Sequence, residues 1–305
     1  MIPGQRPKAL IYHGAMELQP EQLICGYPDQ WRVFQERHEK FLERLGQLKT
    51  TLDLAFIRPF SSSGSEDRVI FTMGRLCTED FWEIALLCAN GYGFGALKLL
   101  RSLYELAVTM AYLCENPSEV DAFLNYHWIA QHRLLEALKH SFGHDLVPKQ
   151  FIYQVEQAYA KYKKDYFITF CSKCDKKRVN YTWSKLDIVS MAQKTAFGEL
   201  VIPGYYEPMM HAHSTVNALL PRIEETDGGG FGFNPDSQPK EADRALMTAH
   251  NVILGVMDLQ KKFFELGVLE EPLQTCLQDF VEVWKDRDSK SHAPTTPQKN
   301  ERPNR

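Results

Sequence analysis

No stretch of this sequence reaches the ~20 consecutive apolar residues that a membrane-crossing helix requires, so no span and no membrane partner are expected. No charge of one sign dominates. The formal net charge is -4 over 305 residues, which exerts no global pull toward nucleic acid or an anionic surface. Arg6 and Lys8 are not followed by the apolar core of a secretory leader. The seven cysteines are odd in number and scattered, and Cys77, Cys88 and Cys114 fall inside helical patterns, where a free thiol packs as a small apolar group. A reducing, cytoplasmic setting is the expectation.

Several chemical signatures are missing as well. No Glu-x-x-His pair of the kind used by di-iron carboxylate bundles occurs. His127 and His132 are five apart and do not align on a helix, and Gly143 interrupts His140 and His144. Cys171 and Cys174 form a single Cys-x-x-Cys without a second pair or a neighbouring histidine, short of the four ligands of structural zinc. A plain loop is the reading there, with zinc or redox duty as the lesser alternative. Gly91-Tyr92-Gly93-Phe94-Gly95 lacks the Gly-x-Gly-x-x-Gly spacing and the preceding strand of a dinucleotide loop, and reads as a tight helix–helix connection. Neither a metal nor a cofactor is expected.

What is present is helical periodicity. Phe34, His38, Phe41, Leu45, Leu48 and Leu52 recur every three or four residues from Trp31 until Pro59 ends the pattern. A second helix is expected over 69–90. The third, over 95–114, is apolar nearly all round when its residues are set out in steps of about 100°, with a narrow polar strip at Lys98, Ser102 and Thr109. Such a helix is a buried central one. Further helices are expected over 117–143, over 148–170, and from a Trp183-Ser184 start to Gly198. Others are expected over 204–219, 241–266 and 270–284. Residues 221–240 read as one long loop, a kind usually functional or mobile. No convincing strand alternation, internal repeat or linker is evident. The expectation is an all-α, irregular bundle of about eight or nine helices in one domain over 31–284. An irregular segment over 1–30 precedes it, and a disordered tail over 285–305 follows.

Asn90-Gly91-Tyr92, Gly95-Ala96 and Leu100-Arg101-Ser102-Leu103-Tyr104-Glu105 come first, with Trp183-Ser184 and Tyr205-Tyr206 ahead of His213 downstream. Together they resemble the signature of a bacterial all-helical family catalogued as a domain of unknown function (number five-six-seven-seven). The resemblance spans residues 65–265, with Met210 standing where that pattern often carries serine. It implies an all-helical fold and assigns no activity.

Arg101, Glu105 and His213 form the sharpest candidate site. An arginine on an apolar helix side needs a partner, since an isolated buried charge costs several kcal/mol or more. Glu105 at i+4 reaches it. His213 lies mid-face on another helix, sharing that face with Tyr206, Met209, Met210, Val216, Asn217 and Leu220, while His211 points nearly the opposite way. As a catalytic set, Glu105 would orient His213 as a base and Arg101 would hold an anion. As a structural set, the three would fix helix register. Residues 161–178 are locally basic: Lys161, Lys163, Lys164, Lys173, Lys176, Lys177 and Arg178 stand against Asp165 and Asp175, with Tyr159, Tyr162, Tyr166, Phe167, Phe170 and Tyr181 interleaved. Lys173, Lys176, Lys177 and Arg178 are therefore candidate nucleic-acid contacts. Arg133 and His140 match loosely the Arg-x(4–6)-His spacing of helical ribonucleases of toxin and defence systems. The expected function is binding or self-association, possible homo-oligomers included, with a structural Arg–Glu–His network. A ribonuclease-like or other hydrolytic enzyme is the alternative.

Overall fold

The computed structural model describes residues 26–27, 29–143, 147–171, 174, 176–213, 215–226 and 229–288. Helix α4 (Gly93–Glu115) is central. A helix apolar on nearly every side is stable only when neighbours cover it. Helices α3 (Ser65–Ala89) and α10 (Pro239–Phe263) do so, and these three make the most extensive helix contacts in the molecule. Leu100, Leu103, Tyr104, Ala107 and Met110 of α4 are buried in one cluster with Ile84 of α3 and Ile253 of α10. Lys98 and Ser102 stay exposed, as the polar strip requires. Thr109 turns its hydroxyl back onto the Glu105 carbonyl at 2.8 Å.

Helices α1 (Gln30–Arg37), α2 (Glu39–Phe56) and α11 (Glu270–Asp288) pack around this trio. Helices α5 (Val120–Phe142) and α6 (Lys149–Tyr162) contact each other more than the core and form an arm. Three short helices complete the set: α7 (Ile188–Ala192), α8 (Glu207–Ala212) and α9 (Val216–Leu219). The described residues thus hold eleven α-helices rather than eight or nine, and the fold is all-α.

Several boundaries differ from expectation, each for a local reason. The helix from Trp31 breaks at His38, a buried ring whose Nε2 lies 3.0 Å from Asp243 Oδ1 on α10 and which packs on Phe34 at 4.5 Å. The helix expected over 148–170 ends at Tyr162, and β1 (Phe167–Cys171) pairs antiparallel with β2 (Lys176–Val179). The long loop contains a second hairpin, β3 (Ile223–Thr226) with β4 (Gly230–Phe233). Ser184 does not cap a helix. Its Oγ accepts from the Leu186 amide at 3.1 Å, and Asp187 caps α7 by accepting from the Ser190 amide at 2.7 Å. The helix expected over 204–219 divides into a π-helical turn at Ile202–Tyr206, then α8, a break, and α9. Helix α11 continues to Asp288, past the 284 expected; residues 1–25 and 289–305 lie outside the described residues.

Two glycines set the close approaches near the site. In the turn between α3 and α4, the Gly91 amide donates to the Cys88 carbonyl (3.1 Å) and the Tyr92 amide to that of Leu87 (2.9 Å), the Schellman arrangement that ends a helix. Gly93 follows, and a side-chain carbon there would collide with the Gln238 carbonyl at the start of α10. The glycine run therefore joins helices, with no strand before it and no cradle for phosphate. Gly204 lies on the Tyr104 ring, where an added carbon would come within 2.5 Å. The Tyr104 hydroxyl donates to the Phe197 carbonyl at 2.9 Å, and burial raises its pKa. The chain ahead of α8 is thereby pressed onto α4.

Candidate functional site

Arg101 leaves α4 on the side that faces this pressed segment. Its Nε donates to Glu105 Oε1 at 2.6 Å, one helical turn away. Its terminal nitrogen lies 2.7 Å from His213 Nε2. Its guanidinium carbon sits 4.9 Å from the centre of the Tyr205 ring, a cation–π contact. The three candidate residues meet, but in the order Glu105–Arg101–His213. Glu105 does not bond to His213, so the arrangement in which Glu105 orients the imidazole is not the one observed.

A guanidinium has five donors and no acceptor, so in this contact Nε2 is the accepting atom. The lone pair a general base would use is already engaged. His213 sits just past α8 with an extended backbone (φ -106, ψ 155) and is solvent-exposed, not mid-face on a continuous helix. Arg101 and Glu105 are half-buried: side-chain exposures are 21% and 40%. The group is a clasp at the surface, accessible from one side.

Immediately beyond the clasp the chain leaves apolar side chains uncovered. Val216, Leu219, Leu220, Phe231 and Phe233 are each more than half exposed, and Tyr206, Met210 and Ile223 are exposed beside them in sequence. Most exposed apolar residues of a protein stand singly, so a run of this length is unusual.

The basic segment is split between the end of α6, the following turn and β2. Lys176, Lys177 and Arg178 are exposed on β2, whereas Lys173 lies outside the described residues. Two of its aromatics, Tyr166 and Tyr159, pack against α5. The Tyr166 hydroxyl donates to the Ala122 carbonyl (2.6 Å), and Tyr159 stacks on His132 (3.6 Å, 11°). Tyr181 remains exposed, with Arg133 and Arg178 each 5.1 Å from its ring. Cys174 is exposed and free. Among the described residues no group of three or more histidines, cysteines or carboxylates could hold a metal ion.

Arg133 and His140 are not brought together. Arg133 donates to the Asn180 carbonyl (2.6 Å) and the Tyr126 hydroxyl (2.7 Å), which ties the chain after β2 to α5. His140 is seven residues on along the same helix, a rise of ~10 Å, and is exposed.

A cleft lies elsewhere on the molecule. Tyr27, Tyr92, Phe94, Arg222, Phe233 and Gln238 are among the residues lining a cleft of about 420 Å³. Its residues come from the glycine turn, the end of β4 and the residues around α1 and α10, separations that no local motif spans. The alternation in Gly230-Phe231-Gly232-Phe233 was the available hint, since alternate positions of a strand share a face.

The profile of a family of unknown function, DUF5677, matches residues 67–231, just over half of the chain and inclusive of Arg101, Glu105, Tyr205 and His213. No curated protein and no solved structure matches.

Proposed function

This chain belongs to DUF5677, a family of unknown function, and we propose that it acts by binding: it self-associates through the apolar face of residues 206–233. The observation that carries this reading is the exposure of Val216, Leu219, Leu220 and Phe231 on one short segment. The Arg101–Glu105–His213 clasp fits the same reading, because it fastens the start of that segment to the most buried helix. Free, buried Cys77, Cys88 and Cys276 support a reducing, cytoplasmic setting. Among the described residues no helix is long and apolar enough to cross a membrane.

The test is oligomeric state by light scattering across a concentration series. Wild type is expected to associate, and Leu220→Glu with Phe231→Ser to remain monomeric while keeping its helical circular dichroism. His213→Gln preserves an acceptor for Arg101 and should associate normally, whereas His213→Ala should weaken association. A wild type that stays monomeric at every concentration sinks the proposal.

A second reading has one observation behind it: His213 is exposed and lies 2.7 Å from a cation that could hold an anionic substrate. A hydrolase of this kind would have to release Nε2 from Arg101 before using it as a base. Cleavage of RNA or DNA abolished in His213→Ala would favour this reading over binding.

A further inference from the structure

The cleft behind β4 has the chemistry of a ligand site, and its occupation does not depend on the role of the clasp. Its walls are aromatic. Phe94 is buried, Tyr92 and Phe233 are exposed, and Tyr27 packs 5.3 Å from Tyr92. Arg222 lies over this wall, its guanidinium carbon 3.9 Å from the centre of the Phe94 ring. Its position is fixed by a hydrogen bond from one terminal nitrogen to the Ala218 carbonyl. Among the described residues no carboxylate is within ion-pair distance of it. Glu224, near the rim, is already held by the Asn234 amide at 2.6 Å.

An arginine that is stacked, positioned and without a counter-charge is poised for an anion, because its planar fork bonds carboxylate or phosphate with two parallel donors. His211 also packs on the Phe94 ring, at 4.7 Å, and its Nδ1 is buried with no hydrogen-bond partner among the described residues. Burial lowers the His211 pKa, and the nearby Arg222 charge lowers it further. A volume of about 420 Å³ falls within the roughly 300–1,000 Å³ of small-molecule sites.

We infer that this cleft binds a planar aromatic or heteroaromatic ligand bearing one anionic group, phosphate or carboxylate. The ring lies against Tyr92 and Phe233, and the anion meets Arg222. Asn234 and Gln238 line the same cleft, their amide nitrogens donating to Glu224 and to the Asp236 carbonyl. A polymeric nucleic acid fits less well, since a single guanidinium, and not a track of cations, lines the cleft.

Calorimetric titration of the full chain with four probes tests this: adenosine monophosphate, adenosine, indole-3-acetate and inorganic phosphate. At least one of the two ring-bearing anions should bind, about tenfold or more tighter than adenosine and than phosphate alone. Preference for the nucleotide assigns a phosphate, and preference for indole-3-acetate a carboxylate. Arg222→Gln should bring the preferred anion down to the level of adenosine, and Arg222→Lys should retain part of the difference. Phe233→Ala, at an exposed position that leaves the core untouched, should cost several-fold. Equal binding of the anions and adenosine overturns the inference. So does binding unaffected by both Arg222→Gln and Phe233→Ala, or no binding of either anion at concentrations of about 5 mM.

Discussion

The α3–α4–α10 core and the segment over 202–233 treat the same residue types in opposite ways. In the core, leucines such as Leu100 and Leu103 are sealed, and several polar groups donate to inward partners. Tyr104 reaches the Phe197 carbonyl, the Gln260 amide donates to the Ile70 carbonyl at 2.8 Å, and Trp284 donates to His250 at 3.1 Å. In the segment, leucine, valine and phenylalanine face solvent, while a histidine and an arginine make the connection to the core. Apolar character alone therefore does not mark the core of this protein. Cover does, and a segment fastened at Gly204 and His213 can display apolar groups without unfolding.

The sharpest way to break this comparison is to truncate one leucine in each region. Leu100→Ala is expected to cost ~3 kcal/mol, from lost transfer energy plus a cavity. Measured on the monomer, at a protein concentration below that of association, Leu220→Ala should stay within about 0.5 kcal/mol, because an exposed leucine has little burial to lose. Denaturant midpoints at fixed protein concentration measure both. Equal losses would mean that the segment is covered in solution.

His250 sharpens the core side. Its Nδ1 accepts from the Trp284 indole, which is a donor only, so the ring is neutral, and burial pushes its pKa down to about 4. An unfolded histidine titrates near 6.5. Between these values the unfolded chain binds the extra proton, so stability falls as pH drops from ~6.5 to ~4 and this contribution levels off below. The full span is ~3 kcal/mol. His250→Gln, which keeps an acceptor without a titration, should flatten the slope measured between about pH 6.5 and 5. An unchanged slope would place the acid sensitivity elsewhere.

The smallest effect is expected at the surface that is charged but not apolar. Nucleic-acid contact at β2 is a proposal supported by Lys176, Lys177 and Arg178 standing exposed beside Tyr181. Neutralising the three together should reduce the slope of log affinity against log salt by about 2 for a single strand. An affinity indifferent to salt would count against any phosphate contact there.

The central helix was legible because a residue-by-residue pattern fixed it: apolar groups on every side of 95–114 leave burial as the only stable outcome. The pairing of Arg101 with Glu105 was legible from spacing. Its connection to His213 was a guess about two distant elements, and the order of the three was not readable, since nothing local says which group lies between the others. The break at His38 depends on Asp243, more than two hundred residues away. Both hairpins were visible in hindsight as Phe167-Ile168-Thr169 and as Gly230-Phe231-Gly232-Phe233. Runs of four or five residues, however, are too short to override neighbouring helical periodicity. Arg222 carried no motif at all; what singles it out is that no carboxylate among the described residues pairs with it, which only the fold reveals.

The buried thiols turn the seams between helices into reporters. Cys88 of α3 points its sulfur at the Ala242 carbonyl of α10 (3.3 Å), and Cys276 of α11 lies 3.3 Å from the Thr51 hydroxyl of α2. Burial holds Cys276 above the usual thiol pKa and raises Cys88 further still. Neither sulfur is an effective nucleophile until its seam opens, whereas Cys174 is exposed throughout. The alkylation rate at each buried position is thus a clock on a different pair of helices. The exposed cysteine keeps reference time, and the order in which the others react traces the sequence in which the bundle comes apart.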